Sequence, residues 1–144
     1  MALSTTIDVH TEAVPRQTGA ACVVRRTRTA PLSVSEGPGE SDSMEYRLLG
    51  KTGLRVSALG FGCGTVGGLI IREEPRVRVR AVARAIEAGI NYFDTASMYG
   101  DGQSEINLGQ VLKELKADVY VGTKVRLTAA DLSDVGAAIH RSVE

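Results

Sequence analysis

Three residues carry groups that could act together chemically: Asp94, Tyr99 and Lys124. Asp94 closes a β-prone run that begins at Ile90, Tyr99 lies in the polar loop that follows, and Lys124 stands near the end of a second run, Val119 to Val125. Adjacent parallel strands lie about 4.8 Å apart, so side chains at two neighbouring strand ends can meet. An ammonium beside a phenol favours the phenolate, and a carboxylate holds the lysine charged and oriented. A tyrosine tuned in this way can protonate a carbonyl oxygen while hydride arrives at carbon. The same residues also fit a structural Asp94–Lys124 ion pair with Tyr99 packed beside it, and spacing alone leaves both open.

Two glycine motifs need weighing. Gly62-Cys63-Gly64-Thr65-Val66-Gly67 matches the dinucleotide fingerprint G-x-G-x-x-G letter for letter. That fingerprint requires a helix to open directly against the pyrophosphate, with an acid about 20 residues further on. Here the expected helix starts only at Pro75, and Asp94 lies beyond that offset. The segment therefore reads as a flexible loop after a strand, able to border a cofactor. Gly50-Lys51-Thr52 resembles the end of a phosphate-binding loop, but Glu45 stands where that motif needs glycine.

The elements that must position these residues follow from turn and period signals. Tyr46–Leu49 and Leu54–Ser57 flank Gly50 to Gly53 as a hairpin, and the second run leads to Ala58-Leu59-Gly60-Phe61-Gly62, a strand entering the glycine loop. Pro75 starts a helix, because its missing N–H would be unpaired at that position anyway. Val77, Ala81, Val82, Ala85 and Ile86 form its apolar stripe, and Gly89 closes it. Arg76, Arg80 and Arg84 line another face, read as solvated rather than phosphate-binding. A second helix is expected from Ser104 as N-cap, with Leu108, Val111, Leu112 and Leu115 inward; a third opens at Asp131 to Asp134, with Ala137, Ala138, Ile139 and Val143 apolar. Strands alternating with helices imply an α/β fold with a parallel sheet, either a TIM barrel or an open doubly wound sheet.

Composition narrows the function classes. Seventeen basic and seventeen acidic residues give zero formal charge, and so no electrostatic case for nucleic acid or an anionic membrane as partner. No apolar run approaches the roughly 18 residues of a membrane span. Cys22, Cys63, His10 and His140 form no metal-ligand spacing. Residues 1–43 lack any period and read as a disordered tail or upstream extension. Their acids, among them Glu36 and Glu40, argue against a transit peptide.

Met44 to Ser57, Leu59 to Gly62, Gly89 to Ala96 with Tyr99-Gly100, Ser104-Glu105, Leu108-Gly109 and Val121 to Lys124 occur in one order. Together they resemble the N-terminal part of an aldo-keto reductase over residues 44–144. The resemblance implies a partial TIM (β/α)8 barrel, made of the hairpin plus the first three strand–helix units. It implies NADPH (or NADH) as cofactor and a small aldehyde, ketone or sugar-like substrate, in a cytoplasmic enzyme. Asp94, Tyr99 and Lys124 correspond to three of the family's four catalytic residues. Gly62, Cys63 and Gly64, with Asp94, fall where the family borders its cofactor, although threonine and a large residue are common where this chain has Cys63 and Gly64.

The family's catalytic histidine follows a fourth strand, which these residues do not include, and His140 is no substitute. A complete barrel takes about 250 residues. The third strand is therefore expected to be an open edge, and the isolated chain to be inactive and unstable alone. The alternative is a naturally truncated, non-catalytic interaction protein.

Overall fold

The computed structural model describes residues 10–12, 20–27 and 44–143. In chain order the elements are β1 (His10–Glu12), β2 (Ala20–Arg26), β3 (Tyr46–Leu48), β4 (Arg55–Ser57), β5 (Phe61–Gly62), α1 (Leu69–Arg72), α2 (Pro75–Glu87), β6 (Tyr92–Asp94), α3 (Gln103–Leu115), β7 (Tyr120–Arg126) and α4 (Val135–Val143). β5, β6 and β7 are parallel neighbours, with Phe61 beside Phe93 and Phe93 beside Val121. The mixed five-stranded sheet runs β1-β2-β7-β6-β5 and is not closed into a barrel.

One face of this sheet carries the core. Phe93 and Val119 pack with Val82 and Ala85 of α2 and with Leu108, Val111 and Leu112 of α3. Each of these side chains except that of Ala85 contributes about 1.5–3 kcal/mol when fully buried. The α3 stripe is the one its periodicity predicts. On α2 the inward stripe is Val79, Val82, Ala85 and Ile86, whereas Val77 and Ala81 line an open depression with Arg80 and Arg84. Arg76, Arg80 and Arg84 are all exposed, in keeping with a solvated face. Gly89 follows the helix with φ +89, the left-handed conformation that permits the sharp return into β6.

Two helix starts differ from expectation. α3 begins at Gln103 after Gly102, which is left-handed at φ 86, so Ser104 lies inside the first turn rather than capping it. Asp131 sits within a short 3-10 turn (Ala129–Ser133) and accepts from the Thr128 amide and hydroxyl. Asp134 instead receives the Ala137 amide at 2.8 Å at the start of α4.

The largest difference concerns the leader, expected as a disordered tail, and the edge of β7, expected open. β2 pairs antiparallel with β7 along its whole length, from Ala20 beside Arg126 to Arg26 beside Tyr120, and β1 pairs with β2. Ala20 to Val24 is too short for a helix or signal core, but it suffices for a strand, and an unpaired strand edge is a template for one. Arg26 grips Asp118 with two hydrogen bonds of 2.8 and 2.9 Å. The rest of residues 1–43 lies outside the described residues.

Candidate active site

The sheet places its polar residues at opposite ends. At the N-terminal end, Asn91 precedes β6 and clamps the hairpin: its side chain accepts from Ser57 N at 2.7 Å and donates to Arg55 O at 3.0 Å, and its amide donates to Ser57 Oγ. The hairpin therefore closes that end. The C-terminal end stays open, and there the three residues singled out by chemistry come together.

Asp94 ends β6, and the parallel register sets it beside Gly122, two residues before Lys124. Lys124 Nζ lies 2.8 Å from both Asp94 carboxylate oxygens and 3.0 Å from Thr95 O, so its three protons all have acceptors. The same ammonium stands 5.0 Å from the centroid of the Tyr99 ring, within cation–π range. About a third of the Lys124 and Asp94 side chains remains exposed. Partial burial pulls the ammonium's pKa down, but the hydrogen bonds and charge of Asp94, with Tyr99 adding to them, outweigh it and hold the value above that of an ordinary lysine. Lys124 is thus a fixed positive charge near neutral pH.

Tyr99 owes its place to a tight turn. Gly100, Asp101 and Gly102 are all left-handed, at φ 59, 51 and 86, and a β-carbon at Gly100 would meet Ile71 of α1 at 2.7 Å. Aspartate tolerates this conformation, and glycine adopts it without a steric penalty. The turn sends the Ser104 amide back to Tyr99 O at 3.2 Å, while Ser97 Oγ donates to Lys124 O at 3.3 Å.

Gly62 pairs with Asp94, and a β-carbon at Gly64 would touch the Tyr99 ring at 3.7 Å, so this loop borders the site. Cys63 differs: its thiol faces the helix-packed core at 1% exposure, and burial pushes it up to about 12. Its amide donates to Asp94 O and its carbonyl accepts from Ser104. Beside Asp94 and Tyr99 the loop therefore presents Gly62 and Gly64 rather than the Cys63 thiol, while Thr65, Val66 and Gly67 further along are exposed.

Spacing did not single out the buried hydroxyls behind the site. Thr95 and Ser104 are almost fully buried and lie 2.9 Å apart, and buried Thr123 donates to Glu105 of α3. Small polar residues inside apolar runs, at the ends of elements, are the signal that could have found them. No cluster of potential metal ligands occurs among the described residues, nor a helix long and apolar enough to cross a membrane.

The aldo/keto reductase family model matches residues 58–144. L-galactose dehydrogenase of Arabidopsis thaliana is 43% identical over 84 residues, covering 56% of this chain and 26% of that protein. A probable voltage-gated potassium channel subunit beta of Oryza sativa subsp. japonica is 34% identical over 105 residues, 70% of this chain and 31% of that protein. An aldo-keto reductase from Bacillus halodurans, solved in its holo form, is 37% identical, with a TM-score of 0.44 over 53% of this chain and 24% of its own. The chain thus spans about a quarter to a third of the length of the relatives it matches. With well over half of its own length matched by the family model, and the Asp94–Tyr99–Lys124 cluster within the matched stretch, the chain belongs to the aldo/keto reductase family.

Proposed function

We propose that this chain carries the proton-handling part of a carbonyl-reducing site, on the first three strand–helix units of a TIM barrel. The observation that carries the reading is the fixed Lys124 charge over the Tyr99 ring, anchored by Asp94 and open to solvent on one side. Tyr99 delivers a proton to the oxygen of a small aldehyde, ketone or sugar-like carbonyl, and takes it back in the reverse direction. Lys124 stabilises the phenolate left behind, and Asp94 keeps Lys124 charged and aimed. General acid catalysis of this kind contributes roughly 10²–10⁴-fold.

A nicotinamide, NADPH or NADH, supplies the hydride. The loop fits the reacting end of such a carrier: a β-carbon at Gly62 would meet nothing within 4 Å, and one at Gly64 only the Tyr99 ring. Gly62, Gly64 and Asp94 are the residues that would border it.

The test is a chimaera in which residues 58–144, the stretch the family model matches, replace their counterparts in the Arabidopsis dehydrogenase. Pyridine-nucleotide-dependent turnover is expected, reduced at least about 100-fold by Tyr99→Phe. A folded chimaera whose turnover ignores Tyr99→Phe removes Tyr99 from this role.

A second reading, a non-catalytic interaction protein, draws on one observation: β2 holds the edge of β7 where a barrel would add its fourth strand. It expects residues 1–144 to be a folded monomer showing no saturable quenching or shift of NADPH fluorescence.

A further inference from the structure

Behind the exposed cluster, two hydroxyls meet in a space closed to water. Thr95 is 1% exposed and Ser104 0%, with their oxygens 2.9 Å apart. Ser104 Oγ also lies 2.9 Å from Cys63 O. A carbonyl oxygen only accepts, and a serine hydroxyl has one proton, so Ser104 donates to Cys63. The contact between the hydroxyls then has a fixed sense: Thr95 donates to Ser104, which donates to Cys63.

Every other polar group of these two residues that faces the site is tied to a different part of it. The Thr95 amide donates to Gly122 O of β7 at 2.8 Å, and the Thr95 carbonyl accepts from Lys124 Nζ at 3.0 Å. The Ser104 amide donates to Tyr99 O at 3.2 Å. One chain of bonds therefore runs from the end of β5 through the first turn of α3 and the end of β6 to the lysine, and a side branch holds the tyrosine backbone. Neither hydroxyl can reach a substrate, because both are buried on the helix side of the sheet.

We propose that the Thr95–Ser104 hydroxyl pair is a positioning device that fixes the distance between the Tyr99 ring and the Lys124 ammonium. This rests on reading those two groups as the proton-handling pair, but its geometry can be tested apart from that reading. An apolar pair of the same volume would fill the space and keep the backbone bonds, but it would remove the side-chain link from Cys63 through Ser104 to Thr95 and leave packing in its place. Such contacts do not fix direction, whereas a fully bonded buried network does.

The experiment uses the 144-residue chain with 13C-labelled lysine and tyrosine, and NMR at neutral pH. Lys124 lies close enough to the Tyr99 ring for its ε-methylene to be displaced by the ring current and to show a cross-relaxation peak with the ring; Lys124→Met assigns the signal. Three variants separate hydroxyl from shape: Thr95→Val keeps the volume and loses the donor, Thr95→Ser keeps the donor and loses the methyl, and Ser104→Ala removes the relay. Thr95→Val and Ser104→Ala are expected to return the Lys124 signal toward that of the other lysines and to abolish the cross-peak. Thr95→Ser is expected to retain both, whatever its effect on the melting temperature.

An unchanged signal in folded Thr95→Val overturns the proposal, and so does a Thr95→Ser variant that loses the signal as fully as Thr95→Val. Should Ser104→Ala not fold, the two Thr95 variants still decide. In the chimaera, Thr95→Val is expected to lower kcat on the order of 10- to 100-fold with KM unchanged, the signature of misplaced rather than missing groups. If the NMR result holds while Tyr99→Phe leaves turnover intact, the positioning stands and the catalytic reading falls.

Discussion

The two ends of the parallel strands both carry polar side chains, neutral at one end and charged at the other, and put them to opposite purposes. At the N-terminal end, Asn91 directs its polar groups at the protein's own hairpin, through Ser57 and Arg55. Thr27 does the same for β7, donating to Ala117 O at 2.8 Å and accepting from the Val119 amide at 3.1 Å. At the C-terminal end, Asp94 and Lys124 bind each other, yet both keep about a third of their side chains in water. A polar group saturated by backbone serves the fold. A charged pair left open beside a phenol has capacity for a ligand, and it contributes little to stability, since exposed pairs are worth about 0–1 kcal/mol.

The sharpest way to break this contrast is to remove charge at the open end. Lys124→Met in the chimaera is expected to cost at least about 100-fold in turnover. In the 144-residue chain the same change breaks a partly exposed ion pair and leaves the Thr95 carbonyl without its partner, so a loss of only about 1–2 kcal/mol in unfolding free energy is expected. Paired kinetics and urea titrations check it, and a large stability loss with intact turnover would reverse the assignment of the two ends.

Asn91→Ala tests the closed end. It removes the acceptor of the Ser57 amide and the donor to the Arg55 carbonyl, backbone groups that face Asn91 rather than the partner strand. At about 1–3 kcal/mol for each polar group left unsatisfied, less where water reaches it, the expected loss is about 2–3 kcal/mol. The urea midpoint reads it, and the Lys124 signal should not move.

Cys63 gives a pH test of the core beneath the open end. Burial raises its thiol from 9.0 to about 12, so the folded state favours the neutral form. That contribution is fully present below pH 9 and is lost as pH rises from 9 toward 12. Between pH 8 and 10.5 the parent chain should therefore lose on the order of 1–2 kcal/mol more stability than Cys63→Ala. Equal losses would mean that the thiol reaches solvent.

Much of this architecture is legible in the sequence because its signals are local. Pro75, Gly89 and the apolar spacing of α3 mark elements whose partners lie within a few turns, and the strand ends bring Asp94 and Lys124 together by register alone. Two features escape for physical reasons. β2 is stabilised by an edge about a hundred residues away in sequence, so nothing around Ala20 to Arg26 distinguishes it from a disordered stretch. Ser104 has the residue type and position of a helix cap, yet its hydroxyl bonds across to Cys63 and Thr95. Local chemistry offers both roles, and tertiary packing selects one.

The smallest effect is the most demanding test of whether the two ends are independent. Thr27→Val keeps the volume and removes a hydroxyl that bridges Ala117 O and the Val119 amide, an expected loss of about 1 kcal/mol. Hydrogen exchange should quicken at Val119 first, because its amide loses an acceptor. Thr27 lies beside the start of β7 and Lys124 near its end, with no shared partner. Mutations so separated add to within about 0.5 kcal/mol. The double variant Thr27→Val, Lys124→Met should therefore show the sum of the single losses. Coupling of 1 kcal/mol or more would mean that β7 transmits strain along its length, so that the leader strand adjusts the lysine and the closed end is part of the site.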